Sequence, residues 1–120
     1  MKLSALPKTW ILDIDGTLLR HNGYLNDGDV VLDGVKDFFS KLNKKDKVIL
    51  LTARSEKYKQ LLEDFLRSQG IGYDALIFDV PMGERILVND EKPSGLKTAY
   101  AVNKKRDEPL HLDFQIDPSL

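Results

Sequence analysis

Cysteine is absent from the 120 residues. Disulfides, thiolate nucleophiles and thiolate metal sites are therefore excluded, and any bound metal would be a hard cation held by oxygen ligands. Long apolar runs are also missing, since no stretch approaches the roughly 20 residues of a membrane helix. Lys2, Pro7 and Lys8 interrupt the N-terminal residues, which offer no secretory segment. We therefore expect a soluble, cytoplasmic protein with no membrane partner.

An excess of charge of one sign is missing too, because 18 Lys and Arg residues face 19 Asp and Glu residues, for a formal net charge of -1. This balance provides no broad positive surface and disfavours nucleic acid as a partner. Any anionic substrate must be held by local groups. The length suits one domain, residues 1–120, and the 42% of hydrophobic residues suits a packed fold.

Short apolar runs alternate with stretches of helical periodicity along most of the chain. The runs predict strands over residues 9–14, 48–51, 75–78 and 85–89 and an edge strand over 110–116, and residues 9–14 have the continuous apolarity of a central strand. Helices are predicted over residues 33–43 with Asp33 as N-cap, over 58–66 before Gly70, and over 94–102 with Ser94 as N-cap. This alternation predicts an α/β fold, a Rossmann-like three-layer sandwich with a mostly parallel central sheet.

Polar residues follow the predicted strands at the edge where open parallel sheets bind ligands. They are Asp13, Asp15, Thr17, Thr52, Arg54, Asp79, Asn89 and Asp90. Carboxylates, hydroxyls and an amide, without cysteine, indicate a magnesium and phosphate site rather than a zinc site.

Asp13 and Asp15 are two residues apart, so both side chains point the same way in extended backbone until Gly16 allows a turn. One carboxylate can attack a substrate while the other moves protons. The alternative is an ordinary Asp-Gly turn after a buried strand, in which Asp15 caps its own backbone.

Residues 13–17, with the sequence Asp-Ile-Asp-Gly-Thr, resemble the first motif of the haloacid dehalogenase superfamily in its phosphatase form. Thr52, after an apolar run, is similar to the second motif. Asn89 and Asp90 are similar to the fourth motif, with Asn89 in place of its first acid. The resemblance covers nearly the whole chain and implies a magnesium-dependent phosphohydrolase that cleaves phosphate monoesters.

The resemblance also implies a role for each matching residue. Asp13 would be the nucleophile that forms an aspartyl-phosphate, and Asp15 would carry the proton. The remaining implied roles are substrate binding by Thr17, Thr52, Arg54 and Asn89, catalysis by Thr52 as well, and coordination of Mg²⁺ by Asp13, Asp15 and Asp90.

The sequence departs from the superfamily's pattern at the third motif. Val80 stands where the superfamily has a Lys that stabilises the phosphoryl group. Arg85 and Lys92 are the nearby cations. A strand over residues 85–89 would put Arg85 about 13 Å from its carboxyl end, at about 3.3 Å per residue. We therefore expect Lys92 to take the catalytic role. The missing Lys leaves open an alternative, a non-catalytic or regulatory metal-binding domain with the same fold.

The loops after Thr17 and Thr52 leave no room for the cap domain that most superfamily members use to select substrates. Capless relatives act on large substrates or close the site with a neighbouring subunit, so the resemblance implies a homo-oligomer as one arrangement. Residues 83–95 are similar to small bacterial members associated with sugar and surface-polysaccharide metabolism. A phosphorylated sugar or related small metabolite is the implied substrate.

Overall fold

Three parallel strands form the sheet that carries the candidate site. In the computed structural model, which describes all 120 residues, the fold is α/β with parallel strands in two small sheets. The elements are β1 (Lys2–Leu3), β2 (Thr9–Asp13), α1 (Val35–Ser40), β3 (Lys47–Leu51), α2 (Lys59–Ser68), β4 (Ala75–Ile77) and β5 (Gln115–Ile116), with short 3-10 helices at Gly23–Leu25 and Glu56–Tyr58.

β3 lies between β2 and β4, and the three strands run parallel. Asp13 is opposite Leu51, which is opposite Ile77, so the carboxyl ends of the strands are level. The prediction that residues 9–14 form a central strand is wrong. β2 pairs only with β3 and is an edge strand, because no later segment pairs with its other side.

The hydrophobic core covers one face of this sheet. It combines Val48 and Leu50 of β3 with residues from the helices and loops, namely Ile14, Leu18, Leu19, Val35, Leu62, Leu66 and Ile71. Because side chains alternate along a strand, the opposite face carries Ile11 and Ile77. These are 47% and 48% exposed, so no complete layer covers that face.

The helix predicted over residues 58–66 is confirmed as α2. The 3-10 helix before it begins where the Ser55 side chain accepts a hydrogen bond from the Lys57 amide. After its last turn, Gly70 takes a positive φ of 69°, which favours a residue without a Cβ. No helix in the structure combines the length and the apolar character needed to cross a membrane.

α1 is shorter than the helix predicted over residues 33–43, and the prediction of Asp33 as N-cap is wrong. Gly34 is the N-cap and has a φ of 85°. A Cβ at Gly34 would collide with the carbonyl oxygen of Leu110. The close approach of this later segment therefore requires a glycine, and moves the start of the helix beyond Asp33.

The last third of the chain differs most from the predictions. The strand over residues 85–89 and the helix over 94–102 are both wrong, since these segments have no regular structure and residues 81–95 are exposed. Of the edge strand predicted over 110–116, only β5 forms, and it pairs with β1 in a separate parallel sheet. A strand exists only with a pairing partner, and a short helix needs an apolar face to bury.

Candidate functional site

Asp13 ends β2, and two side chains hold its carboxylate. Thr17 Oγ1 donates to Oδ2 at 2.8 Å, and Arg85 Nη1 donates to Oδ1 at 2.7 Å. The side chains of Asp13 and Arg85 are 34% and 35% exposed, so the ion pair is open to solvent. Gly16, with a φ of 87°, makes the turn that brings Thr17 back to Asp13. The end of β2 thus presents an oriented and accessible carboxylate.

Asp15 lies in the same turn but is more enclosed, with a side chain 15% exposed. Thr52 Oγ1 donates to its Oδ2 at 2.9 Å. Arg54 donates to its Oδ1 from Nε at 3.1 Å and from Nη2 at 2.8 Å. The prediction that the ends of β2 and β3 bring these side chains together is confirmed. Thr52 is fully buried, and its hydroxyl is turned to Asp15 rather than to solvent.

Arg54 is a buried brace rather than a free cation. Its other guanidinium edge is bound by Asp29, which accepts from Nη2 at 2.7 Å and from Nη1 at 3.1 Å. The ring of Tyr24 lies 3.9 Å from the guanidinium carbon and covers its face. Burial pulls the pKa of Arg54 down, but the hydrogen bonds and charges of Asp29 and Asp15 outweigh it and raise the pKa above its usual value. The guanidinium therefore stays charged and has no edge left for a substrate.

Removing this brace should destabilise the fold. Arg54→Leu leaves the Asp29 carboxylate, only 3% exposed, without its cation. Breaking a buried pair from one side typically costs about 3–5 kcal/mol. We expect urea denaturation to show a loss of unfolding free energy of about 3 kcal/mol. As a control, Arg67→Leu removes an ion pair whose Arg is 74% exposed, and should change stability by less than about 1 kcal/mol. Equal stability of the two variants would contradict a structural role for the Arg54 brace.

Three residues predicted for the site lie elsewhere on the surface. Asn89 Nδ2 donates to the Thr98 carbonyl at 3.4 Å, and the Thr98 hydroxyl donates to the Asp90 carbonyl. The Lys92 side chain makes no hydrogen bond or ion pair, and its backbone closes a turn with Leu96. Asn89, Asp90 and Lys92 are exposed, and none is bonded to the two carboxylates of the site.

The implied magnesium ligands are only partly assembled. The Asp13 carboxylate and the Asp15 carbonyl belong to one turn and are oxygen donors, which suits a hard cation. Asp90 does not join them, and no three His, Asp or Glu side chains are grouped in a way that could hold a metal ion. The donor chemistry fits Mg²⁺, but the described arrangement does not complete its ligand set.

Asp29 is the site residue that sequence reasoning missed, and Arg85 takes the place for which Lys92 was favoured. The position predicted for Arg85 assumed a strand over residues 85–89, and without that strand its side chain reaches Asp13. Asp29 follows an Asp-Gly turn with no apolar strand before it, so no sequence signal connects it to Arg54. Both contacts are made by loops, whose paths short-range patterns do not determine.

The charged connector near the C-terminus also borders the site. The Gly16 carbonyl accepts hydrogen bonds from Lys104 Nζ at 3.1 Å and from the Asp107 amide at 2.9 Å. A Cβ at Gly16 would meet the Arg106 Cγ at 3.1 Å. The sequence predicts no strand, helix or site residue over residues 103–108. The connector instead fixes the turn that carries Asp15 and Thr17.

The site is open to solvent at Asp13, whose side chain is 34% exposed. Cavities of about 510 Å³ and 360 Å³ lie at residues 29–37 and beside Trp10, and neither is lined by Asp13, Asp15 or Thr52. Comparisons with protein-family models, curated proteins and solved structures give no match. The geometry of the site determines what chemistry it can do: the accessible Asp13 carboxylate, paired with Arg85, lies beside the Asp15 carboxylate, which Arg54 and Thr52 hold.

Proposed function

We propose that the protein is a phosphohydrolase that cleaves phosphate monoesters through an aspartyl-phosphate on Asp13. The observation that carries this proposal is the asymmetry of two carboxylates in one turn. Asp13 is accessible and carries Arg85, whereas Asp15 is enclosed by Thr52 and Arg54. A nucleophile must reach phosphorus, and a proton carrier must lie beside it within reach of the leaving oxygen. The resemblance of residues 13–17 to the phosphatase motif of the haloacid dehalogenase superfamily agrees with these roles.

In the first step, an Asp13 carboxylate oxygen attacks phosphorus, and the bond between phosphorus and the ester oxygen breaks. The departing oxygen takes the proton carried by Asp15 and leaves as an alcohol. The amide of Ile14 is bonded to the Leu51 carbonyl at 3.1 Å and is used by the sheet. The neighbouring Asp15 amide makes no backbone hydrogen bond and would donate one to a phosphoryl oxygen.

In the second step, a water molecule gives its proton to the Asp15 carboxylate, and the water oxygen attacks phosphorus of the aspartyl-phosphate. The bond between phosphorus and Asp13 breaks, so inorganic phosphate leaves and the nucleophile is restored. Thr52 would hold Asp15 for both proton transfers. Its hydroxyl already bonds Asp15 at 2.9 Å and is fully buried, which limits the positions that the carboxylate can take.

Arg85 would supply the positive charge that the superfamily takes from the third-motif Lys. Only its Nη1 is bonded to Asp13, so the other N–H groups of the guanidinium can bind phosphoryl oxygens. Neutralising those oxygens lowers the repulsion that an anionic nucleophile meets at a phosphate monoester. Thr17 donates a hydrogen bond to the other carboxylate oxygen of Asp13 and so fixes the orientation of the carboxylate beside Arg85.

Mg²⁺ is the proposed cofactor. The Asp13 carboxylate and the Asp15 carbonyl would hold it, and Asp90 is the third ligand that the resemblance implies. When bound, a hard cation supplies charge neutralisation at the phosphoryl oxygens. The oxygen-only donor set supports this choice. Arg85 already places one positive charge at the same carboxylate.

A phosphate-release assay with and without Mg²⁺ tests the proposed function. Purified protein should release inorganic phosphate from members of a panel of phosphorylated sugars and aryl phosphates. Chelation with EDTA should lower kcat/KM by about tenfold, because Arg85 still neutralises part of the phosphoryl charge. Asp90→Ala should raise the Mg²⁺ concentration needed for half-maximal activity.

The matched control for this assay is Asp113→Ala, which removes a carboxylate far along the chain whose side chain makes no hydrogen bond or ion pair. It should leave both the activity and the Mg²⁺ requirement unchanged. Failure to release phosphate from any ester, with Mg²⁺ present, would contradict the proposed function. Full activity after exhaustive chelation would instead remove only the magnesium proposal.

A non-catalytic or regulatory domain is the second candidate. Arg85 and Arg54 already neutralise both carboxylates, and no complete metal-ligand group is present. These observations suit a domain that keeps the fold but binds rather than turns over a phosphate. The assay separates the two candidates. Phosphate esters should stabilise a binding domain against unfolding, but that domain should release no inorganic phosphate.

The finer features of the proposal follow the resemblance. We place the fold among Rossmann-like three-layer sandwiches without a cap, which three parallel strands and two helices support in part. The substrate would be a phosphorylated sugar or related small molecule rather than a nucleic-acid end, given the net charge of -1. A homo-oligomer that covers the open site and a cytoplasmic location belong to the same proposal.

A further inference from the structure

Asp29 is a buried carboxylate whose role the two chemical steps leave unexplained. Its side chain is 3% exposed, and both of its oxygens bond the Arg54 guanidinium, at 2.7 Å and 3.1 Å. Asp15 occupies the other edge of the same guanidinium, through Nε and Nη2. One buried cation is therefore shared by two carboxylates, and only Asp15 stands beside the nucleophile.

The sharing of Arg54 by two carboxylates matters because Asp15 must turn toward the leaving oxygen to transfer its proton. Two N–H groups of Arg54 hold the Asp15 carboxylate, so turning toward the leaving oxygen of a substrate loosens those hydrogen bonds. If Arg54 had no other anion, the departure of Asp15 would leave a buried, uncompensated charge, which is strongly unfavourable. Asp29 remains bonded to Nη1 and Nη2, so the guanidinium keeps a partner when Asp15 turns away.

The surroundings of Arg54 keep it in place while Asp15 turns. Its side chain is 1% exposed, and the Tyr24 ring covers its face at 3.9 Å. Tyr58 packs edge-on against Tyr24 with ring centroids 4.9 Å apart. Asp15 is 15% exposed and belongs to a turn next to solvent, so of the two partners it is the one with space to turn.

We propose that Asp29 is a positioning residue that shares the Arg54 guanidinium with Asp15 and thereby frees Asp15 to turn toward the leaving oxygen of the substrate. The inference rests on the proposed function, since it concerns the proton carrier of that reaction. Asp29 itself touches no reacting atom and acts through Arg54.

The test compares two phosphate esters in Asp29→Asn, in which the guanidinium is left with Asp15 as its only anion. An alkyl phosphate needs a proton on its leaving oxygen, whereas p-nitrophenyl phosphate leaves as a stable phenolate. We expect the first-turnover rate to fall about tenfold for the alkyl ester and less than about threefold for the aryl ester. The first turnover is measured because later hydrolysis of the phosphoenzyme is common to both esters.

Two further variants make the test specific. Asp27→Asn removes the same charge from the same loop, at an exposed side chain with no hydrogen bond, and should match the parent for both esters. The double variant D29N/R54Q also removes the cation that retains Asp15. Its alkyl-ester rate should recover several-fold over D29N, and its ratio of alkyl to aryl rates should lie within about threefold of the parent ratio.

The double variant also covers the case in which D29N does not fold, because it removes both members of the buried Asp29–Arg54 pair and leaves only Asp15, whose side chain reaches solvent. An equal loss on both esters in D29N, or a selective loss of the alkyl rate in D29N/R54Q, would show that Asp29 is only structural and overturn the inference. Absence of any turnover by the parent protein would overturn the proposed function and the inference with it.

Discussion

Asp13→Asn is expected to abolish turnover, lowering kcat by at least about a thousandfold, which corresponds to about 4 kcal/mol of transition-state stabilisation. The amide has nearly the shape of the carboxylate but cannot form the phosphoenzyme. Because Asp13 is 34% exposed and its ion pair with Arg85 is equally open, the fold should be almost unaffected. Steady-state phosphate release and thermal unfolding measure the two effects separately.

The comparison with Asp15→Asn makes this result specific to the nucleophile. That variant keeps Asp13 and should still form an aspartyl-phosphate from a good leaving group, which mass spectrometry of peptides that contain residue 13 would detect. Fluoroberyllate, which mimics phosphate on an aspartate, should inhibit the parent protein. Turnover that persists in purified Asp13→Asn protein, free of contaminating phosphatase, would contradict the assignment of the nucleophile.

The elements predicted correctly are those with strong local signals. β3 and β4 are short apolar runs that end in polar residues, and α2 carries Leu62 and Leu66 at helical spacing before Gly70. From these elements alone, the rule for parallel sheets brings Asp15 and Thr52 to one edge, where a hydrogen bond of 2.9 Å joins them. This part of the site follows from the order of strands and helices.

The parts that failed depend on partners that are distant in the sequence. Ile86 and Val88 have the composition of a strand, yet they are 84% and 89% exposed because no neighbouring strand pairs with them. Residues 94–102 begin with Ser94, a typical N-cap residue, but bury no apolar face, and an isolated helix of that length is not stable in water. Helix and strand propensities are local, whereas burial and pairing are properties of the whole fold.

The same distinction explains why the sequence does not identify Asp29 and why it favours Lys92 over Arg85. Asp29 and Arg54 are 25 positions apart, and Asp13 and Arg85 are 72 apart. Neither pair shares an element or a periodic pattern, so only the three-dimensional paths of the loops bring them together. The wrong strand over residues 85–89 had a direct consequence for function, since it displaced Arg85 from the site and favoured Lys92.

Arg85→Ala should lower kcat/KM by about a hundredfold, equivalent to about 2.7 kcal/mol. In the structure, Arg85 Nη1 is 2.7 Å from the Asp13 carboxylate, so its charge lies where the phosphoryl oxygens of a substrate would arrive. Charge-assisted contacts to those oxygens are strong in a partly desolvated site. Arg85→Lys should recover only part of the activity. A single ammonium group cannot stay bonded to the Asp13 carboxylate and also donate to several phosphoryl oxygens.

Lys92→Ala is the matched control, since Lys92 is the other cation considered for this role and its side chain has no partner in the structure. We expect less than about a threefold change in kcat/KM, because a solvated surface lysine contributes little to a distant reaction. A large loss in Lys92→Ala with full activity in Arg85→Ala would return the role to Lys92 and require residues 85–92 to repack when substrate binds. If neither variant loses activity, the site turns over its substrate without this cation.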